Sequence, residues 1–208
     1  MKNSLMNLKL NKNKLPESYY LNPDVVSVAQ DLLGKIIFTN IGGEITSGMI
    51  VETEAYKSVN DRASHAHLGK RTKRNEAMYS MGGIVYVYIC YGIHALLNIV
   101  TNVKDTPDAV LIRAIEPIDG IKIMQSRLSS NFLKKLTSGP GKLSKALGID
   151  IRFNKEKLIN DKIWITSYRN KSDFTIDKRP RIGINYAGDD ANFLWRFYIH
   201  NNQYISKI

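Results

Sequence analysis

The segment YVYICYGIHALLNIV, residues 86–100, constrains the fold more than any other stretch of the chain. Before its midpoint Tyr86, Tyr88 and Cys90 alternate with Val87, Ile89 and Tyr91, which is the period of a β-strand. Apolar residues resume at Leu96, Leu97, Ile99 and Val100. Gly92 tolerates backbone angles closed to residues with a side chain, so Tyr91-Gly92 reads as the turn of a β-hairpin. A tyrosine there has two fates. It folds back onto a core, or it stands exposed on a stiff support, and the pattern taken alone favours the core.

A chain of 208 residues with 43% hydrophobic side chains fits one domain with a sizeable core. The formal charge of +11 attracts polyanions such as DNA, RNA or an anionic membrane face. Codon drift toward Lys and Asn explains the same excess, so charge does not decide the partner. Cys90 is the only cysteine, which rules out an internal disulfide and fits a reducing compartment. The start, MKNSLMNLKLNKNKL, has no apolar signal region, and no run approaches the ~20 apolar residues of a spanning helix. The expectation is a cytoplasmic protein, nucleoid-associated if bacterial, with no membrane partner.

Residues 1–14 read as a flexible basic tail and 15–208 as the folded unit. Asn22 and Pro23 predict a helix start, with Val25, Val28, Ala29, Leu32 and Leu33 as its apolar stripe and Gly34 at its end. KIIFTN and EITSGMIVETEAY predict two strands around a Gly42-Gly43 turn, and 57–72 a basic loop. TKRNEAMY predicts one or two helical turns capped by Thr72, AVLIRAI (109–115) a strand, and 119–129 and 140–147 helices, the latter closed by Gly148. KIWITSY, RIGINY and LWRFYIH predict closing strands, whereas 150–161 and 169–180 read as polar loops. This order predicts an α+β fold, a single compact domain with a mostly antiparallel curved sheet, flanking helices and a protruding hairpin.

IVETEAY carries the chemistry. Glu52 and Glu54 share one strand face with Tyr56, and a basic loop with His65 and His67 follows. A carboxylate at the end of an apolar strand is a solvated edge residue or a general base. An aromatic ring and a histidine close by in sequence make a pocket for a flat, electron-poor ring the sharper reading.

Seven blocks in order, GMIVETEAY, SHA, TKRNEAMY, YVYICYGIHALLNIV, VLIRAIEP, TSGPGKLSKALGI and RPRIGINYAG…LWRFYI, resemble the alkyladenine (3-methyladenine) DNA glycosylase family of bacteria and mammals. The resemblance runs from about residue 17 to the C-terminus. It implies a monofunctional hydrolase that turns alkylated purines out of double-stranded DNA and cleaves the N-glycosidic bond, working without cofactor or obligate protein partner. Among the substrates implied are 3-methyladenine and 7-methylguanine, with hypoxanthine and ethenoadenine open. Glu54 falls on the family's water-activating glutamate, Tyr56, His65 and Tyr88 on pocket residues, and Asn98 on the asparagine that crowds guanine's amine. Tyr91 falls on the intercalating residue, which turns the reading of the hairpin tip from core to wedge. Arg113 falls on an arginine near the active-site water and the DNA backbone.

The basic run GKRTKR, with Arg71, Lys73 and Arg74, reads as surface that contacts phosphates, and Lys142 in SGPGK reads as a further phosphate contact beside a helix start. Lys73 stands where family members commonly have proline, and Ala95, Leu96 and Leu97 replace bulkier hairpin residues. His65-Ala66-His67 lacks a third ligand at metal spacing, so no metal is expected. The competing reading is a nucleic-acid-binding protein on the same fold without turnover.

Overall fold

The computed structural model describes residues 13–206. The proposed tail therefore lies outside the described residues except at its end. There Lys14 bridges Thr166 and its ammonium caps the carbonyls of Ile159 and Asn160, so residue 14 belongs to the folded body.

Among the described residues eight strands form one antiparallel sheet: β1 (Ile36–Ile41), β2 (Glu44–Tyr56), β3 (Val85–Cys90), β4 (His94–Thr101), β5 (Asp108–Asp119), β6 (Ile163–Thr166), β7 (Ile176–Arg179) and β8 (Arg196–Ile199). The main path is β3-β4-β5-β2-β1-β6. β2 is the central member. β5 runs along one side of it, while the other side is shared, β1 pairing with its first half and β8 with residues 52–54. Register shifts around Ser47, Ile50 and Glu52 bend β2 against β5, because an unpaired residue increases local twist. The sheet curls into a half-barrel.

Period-two alternation divides the sheet faces. Val51, Ala55, Val85, Val87, Leu97, Ile99, Val110 and Ile112 enter the main core. Over it pack α1 (Val25–Asp31), through Val28 and Ala29, and α4 (Pro140–Ala146), through Leu143 and Ala146. Two further helices, α2 (Ile121–Leu128) and α3 (Leu133–Leu136), connect β5 to α4. The opposite face carries Glu54, Tyr56, Tyr86, Tyr88 and Asn98. Ala66, Ala77, Met78 and Tyr79 from the segment after β2 pack there beside Tyr86.

Several local expectations are corrected. α1 is capped by Asp24, whose carboxylate accepts from the amides of Val26 and Ser27, and not by Asn22, whose side chain instead receives the Asp24 amide. Both residues are good caps, and Pro23 between them does not discriminate. The helical turn at Glu76–Tyr79 has no side-chain cap of its own; Thr72 caps the turn before it, its hydroxyl accepting from the Asn75 amide at 3.4 Å while its own amide donates to the Asn75 side chain. Residues 181–186 form no strand, since Gly183 takes a positive φ of 78° and a 3₁₀ segment begins at Asn185. Conversely, polar 176–179 is β7, paired with β8. A half-exposed edge strand needs no hydrophobic alternation, which hid it. No helix of the described residues is long and apolar enough to cross a membrane.

Candidate active site

The ladders align Glu54 with Leu111, Leu111 with Asn98, and Asn98 with Tyr86. These four side chains therefore form one row across β2, β5, β4 and β3. Neighbouring strands lie about 4.8 Å apart, and the curl brings the two ends of the row toward one space. That space is a cavity of about 640 Å³, walled by Tyr56, His65, Tyr86, Tyr88, Asn98 and Arg113 among others.

Glu54 is fully buried, not a solvated edge residue. Its Oε2 accepts from the Tyr56 hydroxyl at 2.9 Å and lies 3.2 Å from Arg113 Nη1, and its Oε1 accepts from the Ile182 amide at 2.7 Å. Those three donors all line the cavity, and the carboxylate sits immediately behind them. Tyr56 is held neutral, its acidity suppressed by burial and then by the Glu54 charge; it remains a donor at every working pH. Arg113 is 6% exposed and clamped between Glu52 and Glu54. Its guanidinium lines the cavity wall beside Glu54.

At the other end of the row His65 Nδ1 meets the Tyr86 hydroxyl at 2.9 Å, and the His65 ring lies edge-on to Tyr88, centroids 4.6 Å apart. Tyr86 and Tyr88 stack at 5.4 Å. Burial pushes the His65 pKa down to about 4, helped by the nearby charges of Arg74 and Lys70, so the imidazole is uncharged at neutral pH. The Asn98 amide donates to the carbonyls of Tyr86 and Leu96. Its side chain is thus fixed in the cavity wall.

Tyr91 stands on the lip at 87% exposure. It and Gly92 take φ of 50° and 74°, and the Ile93 amide closes the turn on the Cys90 carbonyl at 3.2 Å. Positive φ at both central positions matches the right-handed twist of a hairpin; the core-packed alternative for Tyr91 is set aside. Across the cavity, Gly139 donates to the Arg113 carbonyl. A Cβ at Gly141 would fall 2.9 Å from the His94 ring, so only glycine lets α4 approach the hairpin base this closely.

The basic residues do not behave alike. Lys142 and Arg74 line the cavity, with the Arg74 guanidinium 5.1 Å from the centre of the Tyr88 ring. Lys73 is exposed. Arg71 instead forms ion pairs with Glu76 and Asp105 and covers the Tyr79 ring at 4.6 Å. Its charge is largely spent within the protein. Among the described residues no group of three His, Cys, Asp or Glu side chains could hold a metal ion.

Sequence reasoning passed over Tyr86 and Tyr186 as cavity residues and the Ile182 amide as a partner of Glu54. Tyr86 was visible, since it alternates in phase with Tyr88. A backbone donor from a loop 128 residues away leaves no mark in a side-chain pattern.

With this geometry in hand, the comparisons are specific. Residues 19–203 match the family model described as methylpurine-DNA glycosylase. A protein of Chlamydia abortus named "Putative 3-methyladenine DNA glycosylase" is 46% identical over 188 residues, covering 89% of this chain and 98% of the relative. Proteins of the same name from Clostridium perfringens SM101 and Clostridium acetobutylicum are 45% and 42% identical, covering 93% and 94% of this chain and 99% and 98% of the relatives. These matches make the protein a DNA glycosylase, a hydrolase acting on N-glycosyl bonds. Within that class, the chain belongs to the methylpurine-DNA glycosylase family.

Proposed function

We propose that the protein turns an alkylated purine out of double-stranded DNA into the 640 Å³ cavity and hydrolyses its N-glycosidic bond, Glu54 activating the water. The observation that carries this reading is the position of the Glu54 carboxylate, fully buried behind the cavity wall at the foot of a hairpin tipped by an exposed Tyr91. A carboxylate offers about four lone-pair directions. Tyr56, Arg113 and Ile182 occupy three, and the attacking water takes a fourth. As the base departs, the sugar becomes oxocarbenium-like, and the same carboxylate stabilises it electrostatically.

Base selection follows from the walls. Methylation at N3 of adenine or N7 of guanine makes the purine cationic, and the faces of Tyr56 and Tyr88 attract cations. An uncharged His65 does not repel such a base and offers it a hydrogen bond. Asn98, held by two carbonyls, presents a fixed obstacle to the exocyclic amine of normal guanine. Tyr91 fills the vacated stack, whose loss costs a few kcal/mol. Lys73, Arg74 and Lys142 bind backbone phosphates, Arg74 turning away from the Tyr88 ring to do so. Hydrolysis needs no Schiff base or metal, so EDTA leaves the rate unchanged.

Free base released from a methylated duplex tests the reading. Glu54→Gln keeps the shape, replaces one acceptor oxygen by an amide donor and cannot accept a proton, and a drop of 10²–10⁴-fold is expected with duplex affinity retained. Undiminished release by the variant would remove Glu54 as the base, and release by neither protein would favour a binding protein without turnover.

A further inference from the structure

Glu52, two residues before Glu54 on β2, plays no part in the chemistry above, yet it is a fully buried carboxylate. A charge in that position is sustained only by dense bonding. Its Oε1 accepts from Arg113 Nε at 3.0 Å, Arg196 Nη1 at 3.2 Å and Ser206 Oγ at 2.9 Å, and its Oε2 from the Ser206 amide at 2.6 Å.

Two arms run from this hub to Glu54. In the first, Arg113 uses Nε on Glu52 and Nη1 on Glu54 Oε2, while Nη2 donates to Ser206 Oγ at 3.3 Å. Each nitrogen of that guanidinium has a partner. In the second, Arg196 uses Nη1 on Glu52 and Nε on the Pro180 carbonyl at 3.0 Å. Two residues beyond Pro180, the Ile182 amide reaches Glu54 Oε1. Both oxygens of Glu54 are therefore aimed by donors whose own placement depends on Glu52.

We infer that Glu52 is a positioning residue for base excision, fixing the guanidinium and the loop amide that orient Glu54 and balancing the charge around it. This rests on the assignment of Glu54 as the base. The groups facing Glu54 are Tyr56 and Glu52 from β2, Arg113 from β5, Arg196 from β8, and Arg181 and Tyr186 from the segment between β7 and β8. Two carboxylates and three guanidiniums share the neighbourhood, and Arg181 is matched separately by Asp61. Neutralising Glu52 leaves positive charge in excess beside Glu54.

Single-turnover excision of 7-methylguanine from duplex DNA, with competent enzyme counted by active-site titration, reads the rate per competent site. Glu52→Gln is expected to slow excision roughly 10–100-fold at unchanged affinity for the damaged duplex. Ser206→Ala removes the hydroxyl shared by Glu52 and Arg113 without altering charge, and a few-fold slowing is expected. A wild-type rate in Glu52→Gln would overturn the inference, since a merely structural role lowers the folded fraction and not the rate per competent site. Should Glu52→Gln not fold, Ser206→Ala and Arg196→Lys decide: slowing in either supports the role, and wild-type rates in both refute it. Full activity in Glu54→Gln would instead sink the base assignment, whereas an inert Glu54→Gln beside an unaffected Glu52→Gln would sink only the part given to Glu52.

Discussion

At the scale of single residues, His65 and Asp108 make opposite contributions to the pH dependence of stability. Burial lowers the His65 pKa to about 4 in the folded state, against 6.5 in the unfolded chain. Its contribution is therefore complete above pH 6.5 and is lost as the pH falls toward 4, on the order of 2 kcal/mol by pH 5. Burial raises the Asp108 carboxyl from 3.8 to about 6. That contribution is present below pH 3.8 and lost as the pH rises through 6, so acidification to pH 5 returns on the order of 1 kcal/mol. The two nearly cancel between pH 7 and 5, and a shallow slope is expected for the native protein. Asp108→Asn should steepen the loss on acidification and His65→Gln should reverse its sign. Urea midpoints at the two pH values check both, and parallel curves for all three proteins would refute the assignment.

At the scale of elements, the hairpin sets an aromatic side chain on a strained backbone. A φ of 50° at Tyr91 costs a residue with a Cβ about 1–2 kcal/mol. Tyr91→Gly relieves that strain but gives the unfolded chain more freedom, so stability within about 0.5 kcal/mol of wild type is expected. Excision from duplex DNA should fall about 10-fold or more, since the wedge is gone. A variant both stable and fully active would refute a role for the ring. The hairpin and β2 were legible because strand alternation, turn glycine and length agreed along Glu44–Tyr56 and across 85–101. Glu54 and Tyr56 share a face by the same rule. Less visible were elements whose stability comes from their neighbours. β7 is polar because its faces are largely exposed, and α3 spans only four residues. RIGINY alternates like a strand, but it serves as a loop that turns one amide toward Glu54.

At the scale of the whole molecule, the +11 charge makes DNA affinity fall steeply with salt. Each phosphate neutralised contributes about 0.9 to the slope of log affinity against log salt. Lys142→Ala, on the cavity rim, should reduce that slope by about 0.9. Arg71→Ala should leave it nearly unchanged, because Glu76 and Asp105 already match its charge. Equal losses in the two variants would return Arg71 to the phosphate-binding surface. The shared flank of β2 has a consequence for biosynthesis. Glu52 meets Arg196 across 144 residues of chain, and β8 completes the sheet beside Glu54. A ribosome that has delivered β2 has made Glu52 and Glu54 without the last strand that flanks them, and their surroundings close only once β8 has been synthesised.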